Sequence, residues 1–317
     1  MKGAGAKSTE AADAAIVECV PNFSEGGDER KVLAILAAMR VDGVRLLDWS
    51  RDPDHNRSVV TIAGPPLAVL ESALRGVGKA AEVIDLTAQQ GVHPRIGSAD
   101  VVPFVPISAF SLEQCVLLAR QAGIEIWRRH GVPVYFYEAA AARPDRALLE
   151  DVRRGQFEGL RDAVERDATR RPDVGGPHLH PTAGASAVGA RRFLIAYNLF
   201  LDTPDVAAAR AVAREIRASG GGLSGVKAMG VVAQGQAQIS MNITDFRSTP
   251  VAQVFAAVQQ RASRHRARVV RGELIGLVPE AAFEQESEWV RLLDGFNPEE
   301  KILERRLEHP LAWPSTS

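Results

Sequence analysis

The feature that most constrains this chain is an order of hydrophobic patterns that occurs twice. In the first half, "AAIVECVPN" is a short β-branched run stopped by Pro21, which has no N–H to give to a ladder. "SEGGDERKVLAILAAMR" follows, with Asp28 placed to cap a helix whose Val32, Ile35, Leu36 and Met39 fall three and four residues apart. Strand-like "GVRLLDWS" and "RSVVTIAG", helical "PLAVLESALRGVGKAAEVI" and strand-like "VVPFVPI" complete a β-α-β-β-α-β order. A helical "SLEQCVLLARQAGIEIWRRHG", a strand "VPVYFYEAA" and a charged helix over residues 146–166 extend it. In the second half, "FLIAYNLFLD", "TPDVAAARAVAREIRAS", "GVKAMGVVAQ", "AQISMNITDF", "TPVAQVFAAVQQRASRH" and "ARVVRGELIGLVP" give β-α-β-β-α-β again.

Between the halves lies "RRPDVGGPHLHPTAGASAVGARR", rich in Gly, Pro, Ala and Ser and without helical period. These signals predict an α/β (α+β) protein of two ferredoxin-like βαββαβ subdomains, a degenerate internal repeat with facing sheets and helices on the outside. The expected boundaries are a disordered N-terminus at 1–14, a first subdomain at 15–170, a linker at 171–190 and a second subdomain at 191–317. Facing sheets leave a groove between them as the natural ligand site.

Charge narrows the class of partner. Lys plus Arg number 38 and Asp plus Glu 39, so no global field recruits nucleic acid or an anionic membrane, and a small molecule is the expected partner. Aromatic content is 6% and no GxGxxG joins a strand to a helix, which removes support for nucleic-acid and dinucleotide readings. Cys19 and Cys115 sit in apolar segments without metal-ligand spacing and read as buried thiols of a reducing compartment. No run reaches the roughly 18 apolar residues of a membrane span, and the opening residues lack a signal-peptide core, so a cytoplasmic location is expected.

The chemistry concentrates in "QQGVHPRIGSADVVPFVP". Pro94 pushes His93 out of helical geometry, and Gly91 and Gly97 permit close backbone approach on either side. A stiffly held imidazole suits a general acid/base, which must reach its proton across about 2.6–3.2 Å. A loop histidine bonded to backbone is the alternative. Arg95 supplies a fork for a carboxylate, and Asp100 a carboxylate placed to orient the ring. "VPNFSEGGDER" brings Asn22, Ser24 and Glu25 to a helix start, where free N–H groups favour an anion, with a capped turn as the competing reading. "DPDHNRSVV" places His55, Asn56 and Arg57 in a hairpin connection. His178 and His180 in "PHLHP" have no accompanying carboxylate or cysteine pattern, and no metal site is assigned to them.

Taken in order, "VECVPNFSEG", "HNRSVVTIAG", "GVHPRIGSADVVPFVP", "VPVYFYEAA", "GARRFLIAYN" and "ELIGLVP" resemble the glutamate formiminotransferase family, from about Ile16 to about Leu307. The resemblance implies transfer of the formimino group from N-formimino-L-glutamate to N5 of tetrahydrofolate, a late step of histidine breakdown. It also implies a folate tunnel between two subdomains and a homodimer. The histidine of the family's His-Pro-Arg motif, its acid/base, falls on His93; Arg95, Gly97 and Asp100 match the residues around it, and Asn22, Asn56 and Arg57 match other motif positions as substrate- or folate-binding residues. No residue of the family's cyclodeaminase domain is matched, so deamination is expected of a separate protein.

The chain departs from the family where Lys-His-Lys-Gly-Glu commonly precedes the motif; here stand Ala88, Gln89, Gln90, Gly91 and Val92. An apolar neighbour in place of a carboxylate disfavours the imidazolium and predicts a more neutral His93. Two alternatives accompany the main reading: formyl transfer from 5-formyltetrahydrofolate to glutamate, and a non-catalytic folate- or anion-binding module.

Overall fold

The computed structural model describes residues 15–314 apart from Asp54, Gln90 and Val92. The N-terminal segment expected to be disordered, and the two altered motif positions Gln90 and Val92, lie outside the described residues. The first strand is split by Pro21 into β1 (Ile16–Cys19) and β2 (Asn22–Phe23), as its missing N–H requires, yet its carbonyl still accepts from Val60 N–H at 3.0 Å. After it, α1 (Glu29–Ala38) starts at Asp28, whose carboxylate accepts from Arg30 N–H, and buries Val32, Ile35 and Leu36. Then come β3 (Arg45–Asp52), β4 (Arg57–Gly64), α2 (Pro66–Val83) and β5 (Ala99–Ser108). Both halves of the split strand lie antiparallel between β4 and β5, with β3 outside β4, which is the predicted βαββαβ arrangement.

The first sheet then grows beyond that unit. Helix α3 (Leu112–His130), opened by a Ser111–Gln114 capping box, leads to β6 (Val134–Glu138). The expected continuous helix over 146–166 is two helices, α4 (Leu149–Val152) and α5 (Gln156–Arg166), divided at Gly155. β7 (Ser186–Ala190) follows, and it corrects the expectation of a linker over 171–190: it is buried throughout and runs parallel between β5 and β6. Its sequence, Ser-Ala-Val-Gly-Ala, has one β-branched residue, so burial on both faces rather than propensity makes it a strand.

The second lobe has β8 (Ile195–Leu201), α6 (Val206–Ile216), β9 (Val226–Ala233), β10 (Gln236–Ile243), α7 (Val251–Arg264) and β11 (Val269–Ile275). Its antiparallel order β11-β8-β10-β9 is the predicted second βαββαβ unit. Short helices α8 (Glu288–Arg291), α9 (Pro298–Lys301) and α10 (Leu303–Glu308) carry the chain back to the first lobe. There Leu311 N–H bonds Leu46 O at 2.8 Å on β3, covering part of that edge. No helix among the described residues is long and apolar enough to cross a membrane, and both cysteines are free and buried.

Each lobe has its own core, and a third cluster joins them. Leu47 and Ala63, on the face of the first sheet turned away from its helices, meet Leu277 and Leu303, with Phe193 and Leu307 alongside. At the far end of the sheet, Lys227 of β9 pairs with Glu138 at 3.7 Å and Glu150 at 3.3 Å, contacts exposed enough to set alignment rather than stability. Leu303→Ala should therefore cost about 2–5 kcal/mol, the range for a buried leucine truncated to a cavity. Urea unfolding followed by circular dichroism checks it, and a loss well under 1 kcal/mol would show that the cluster does not hold the lobes together.

Candidate active site

A second proline, across the ladder, decides where Asn22 points. Val20 N–H donates to the Pro103 carbonyl at 3.3 Å, but Pro103 has no N–H to return, so the Val20 carbonyl accepts from the Asn22 side-chain amide at 2.7 Å instead, and this turns Asn22 Oδ1 toward the Arg57 guanidinium at the start of β4. Arg57 also donates to the imidazole of His93. A guanidinium has no acceptor, so the ring nitrogen facing it is unprotonated. Asn22, Phe23, Ser24, Asn56, Arg57, His93, Arg95 and Asp100 line one cleft, which brings together every sequence-predicted site residue except Gly97.

Three of those residues have structural partners that sequence reasoning did not assign. Arg95, expected to grip a carboxylate of the substrate, is spent on the protein. Nε donates to Gln89 Oε1 at 2.5 Å, Nη1 and Nη2 to both oxygens of Glu158 at 3.2 and 2.9 Å, and Nη2 also to the Gln89 carbonyl at 3.1 Å. Asp100, expected to orient His93, accepts instead from Ile96 N–H at 2.8 Å and from Arg153. Asn56 Oδ1 accepts from Gly26 N–H at 2.9 Å, while Glu25 takes Gly27 and Asp28 N–H at 3.0 and 2.9 Å. The helix-start donors read as an anion site are thus met by these side chains.

Gly97 acts through its backbone. Its carbonyl accepts from Ser24 Oγ at 2.7 Å, and an added Cβ would lie 2.1 Å from the Ala185 carbonyl. Gly91 is equally tight: a Cβ there would approach the His55 carbonyl to 2.8 Å, so the segment before His93 rests directly on the β3–β4 hairpin. That contact brings the His55 ring to 6.5 Å from the His93 ring, centroid to centroid, at an interplanar angle of 67°.

Arg153 was missed, because the charge pattern over 146–166 reads as an unbroken solvent-facing helix. The break after α4 turns it inward onto Asp100 instead, with 13% of its side chain exposed. Two guanidiniums, Arg57 and Arg153, therefore stand beside His93 with Asp100, bonded to Arg153, as the carboxylate of the cleft lining, and Nε of each is buried without a hydrogen-bond partner. Burial, then Arg57 and Arg153, push the His93 imidazole down to about 2. Burial, with Arg153 adding and Asp100 opposing, lowers Arg57 to about 10. The cleft thus holds a neutral imidazole among positive charges. His180 is turned elsewhere, its Nδ1 accepting from Ala183 N–H at 2.9 Å, and His178 sits 3.6 Å from Glu165 on the surface.

Comparison with known proteins agrees with this frame. The formiminotransferase domain, N-terminal subdomain, matches residues 16–191, and the formiminotransferase domain matches residues 196–291. The glutamate formimidoyltransferase of Thermoplasma acidophilum is 43% identical over 298 residues, covering 92% of this chain and 97% of the relative. That of Streptococcus pyogenes is 41% identical, covering 93% and 99%. The formimidoyltransferase-cyclodeaminase of Gallus gallus is 39% identical over 279 residues, 85% of this chain and 51% of the relative.

The charge arrangement has a measurable consequence for stability. Because the folded His93 is depressed below the ordinary histidine value, the folded protein refuses a proton that the unfolded chain accepts. The resulting stability is complete above about pH 6.5 and is lost as pH falls from there toward the folded value near 2. The His93 ring resonances should accordingly stay fixed between pH 8 and 4 in the ligand-free protein, as followed by NMR. A midpoint near the ordinary value would mean that neither burial nor the charges of Arg57 and Arg153 act on the ring.

Proposed function

The chain belongs to the formiminotransferase family, and on that premise we propose that the cleft at His93 is where its reaction takes place. The protein is a transferase that moves the formimino group from N-formimino-L-glutamate to tetrahydrofolate, its co-substrate, in the breakdown of histidine. The observation that carries the assignment of the cleft is the surplus of guanidinium over carboxylate next to a neutral imidazole.

In this reading Arg57 and Arg153 take a carboxylate of formiminoglutamate or of folate, which satisfies their buried donors at two points. Arg57 then shifts its hydrogen bond from His93 to that carboxylate. The imidazole nitrogen is released, and the added negative charge raises its affinity for a proton. N5 of tetrahydrofolate attacks the amidine carbon, a tetrahedral intermediate forms, and His93 takes the N5 proton and passes it to the departing glutamate nitrogen. Arg95 and Asp100 hold the frame and are assigned no contact with substrate.

The same reading covers the cytoplasmic location and the homodimer that the family resemblance implies, and light scattering of the purified protein tests the latter. It also makes the transfer metal-independent, since the proton relay needs no Lewis acid, so activity should survive a strong chelator. Loss restored by zinc would overturn that part. His93→Gln should lower the transfer rate by about 100-fold or more with folate affinity held within a few-fold, the signature of a lost acid/base. Equal losses of rate and binding, read from steady-state kinetics and calorimetry, would make His93 a structural residue.

A further inference from the structure

The strand at the edge of an open sheet presents a row of unpaired N–H and C=O groups that another chain can pair with. Three of the four sheet edges here are blunted by the chain itself. On β3, Leu311 N–H bonds Leu46 O, and the strand carries the charges of Arg45, Asp48, Arg51 and Asp52. On β6, Val134 and Glu138 N–H bond the Val174 and Ala147 carbonyls, and Phe136 N–H bonds the Asp173 carboxylate. On β11, Gly272 N–H bonds Leu292 O at 2.7 Å, and the Gly272 carbonyl accepts from Asp294 N–H at 3.2 Å.

The fourth edge is β9. It pairs with β10 over its full length without a register shift, and among the described residues no backbone group from Lys227 to Ala233 bonds beyond β10. The turn at Gln234 and Gly235, both at positive φ, decides which groups face out. It makes Ala233 and Gln236 a hydrogen-bonded pair, and Ala237 N–H accordingly points away from β9 to Thr203 O at 2.9 Å. By alternation Ala228, Gly230 and Val232 turn their N–H and C=O to the open side. The stretch has no proline, no bulge and one charged residue, Lys227, which is engaged with Glu138 and Glu150 of the first lobe. Met229 is 61% exposed and Val232 55%.

We propose that β9 is the docking edge for a second copy of this chain, the two β9 strands pairing antiparallel about a two-fold axis so that both second-lobe sheets become one. The occupant is another copy because the strand complements itself. With the axis at Gly230, Ala228 of one copy faces Val232 of the other, and each such pair exchanges both of its backbone hydrogen bonds. Met229 then lies across from Val231 as an apolar cross-strand pair, and Lys227 falls opposite Ala233, so no like charges meet along the ladder.

This pairing gives a surface to the homodimer and rests on that reading, not on the transfer chemistry. Sedimentation equilibrium over a range of protein concentrations is measured for the unaltered protein, Val232→Pro and Met229→Lys. Val232→Pro removes an outward N–H that the single chain does not use, a place where an edge strand tolerates proline, so its circular dichroism spectrum should match that of the unaltered protein. Its dimer dissociation constant should rise by about tenfold or more, because the two-fold axis applies the lost hydrogen bond twice. Met229→Lys should weaken the dimer likewise by setting a charge against Val231, which keeps the idea testable if the proline variant does not fold. A dimer of undiminished strength in either folded variant overturns the β9 surface and leaves the homodimer standing. An unaltered protein that remains a single chain at every concentration overturns both.

Discussion

Arg95 lies in the first lobe with only 8% of its side chain exposed, and each of its guanidinium nitrogens is met by protein. Those partners come from both sides of the loop that carries His93: Leu86 and Gln89 before it, and Glu158 of α5 behind it. A buried guanidinium left without acceptors is costly, so satisfying it fixes the path of the loop between them. The half-exposed Glu158 makes the ion pair itself a modest contributor, and the carbonyls and the amide of Gln89 do more to set geometry than to add stability. His93 is placed by a neighbour two residues away whose three guanidinium nitrogens are each already bonded to protein.

From that joint the cleft is assembled by displaced partners. Pro103 withholds an N–H, Asn22 answers the Val20 carbonyl this strands, and the answering amide turns its oxygen to Arg57. Asp100 steadies Ile96 and bonds Arg153, and it offsets Arg57 only through space. The result is a site whose polar groups are individually explained by the fold and whose net charge is not. An electrostatic excess held in a partly buried cleft is the arrangement that favours an incoming anion.

Most of the architecture could be read from hydrophobic period, because α1, α2 and the paired strands of both units have strong and separate 3.6- and 2-residue signals. β7 could not: a parallel strand buried on both faces needs no alternation, and five small residues resemble a loop. The membership of the cleft was likewise legible, since Asn22, Asn56, Arg57, His93, Arg95 and Asp100 are brought to one place. Their division of labour was not. Which arginine meets substrate depends on which has already found acceptors, and this is set by Glu158 and Gln89, partners no local pattern announces. Arg153 was hidden for a different reason, because the break at Gly155 converts a surface-helix position into an inward one.

The return of the chain to β3 has a mechanical consequence. The lobes are connected once between β7 and β8 and again where Leu311 bonds Leu46. A body hinged at one point can swivel in any direction, whereas one tethered at two can turn only about the line through both. A relative movement that kept both connections would be confined to turning about that line, and the buried cluster of Leu47, Ala63, Leu277 and Leu303 opposes it together with the contacts of Lys227 with Glu138 and Glu150.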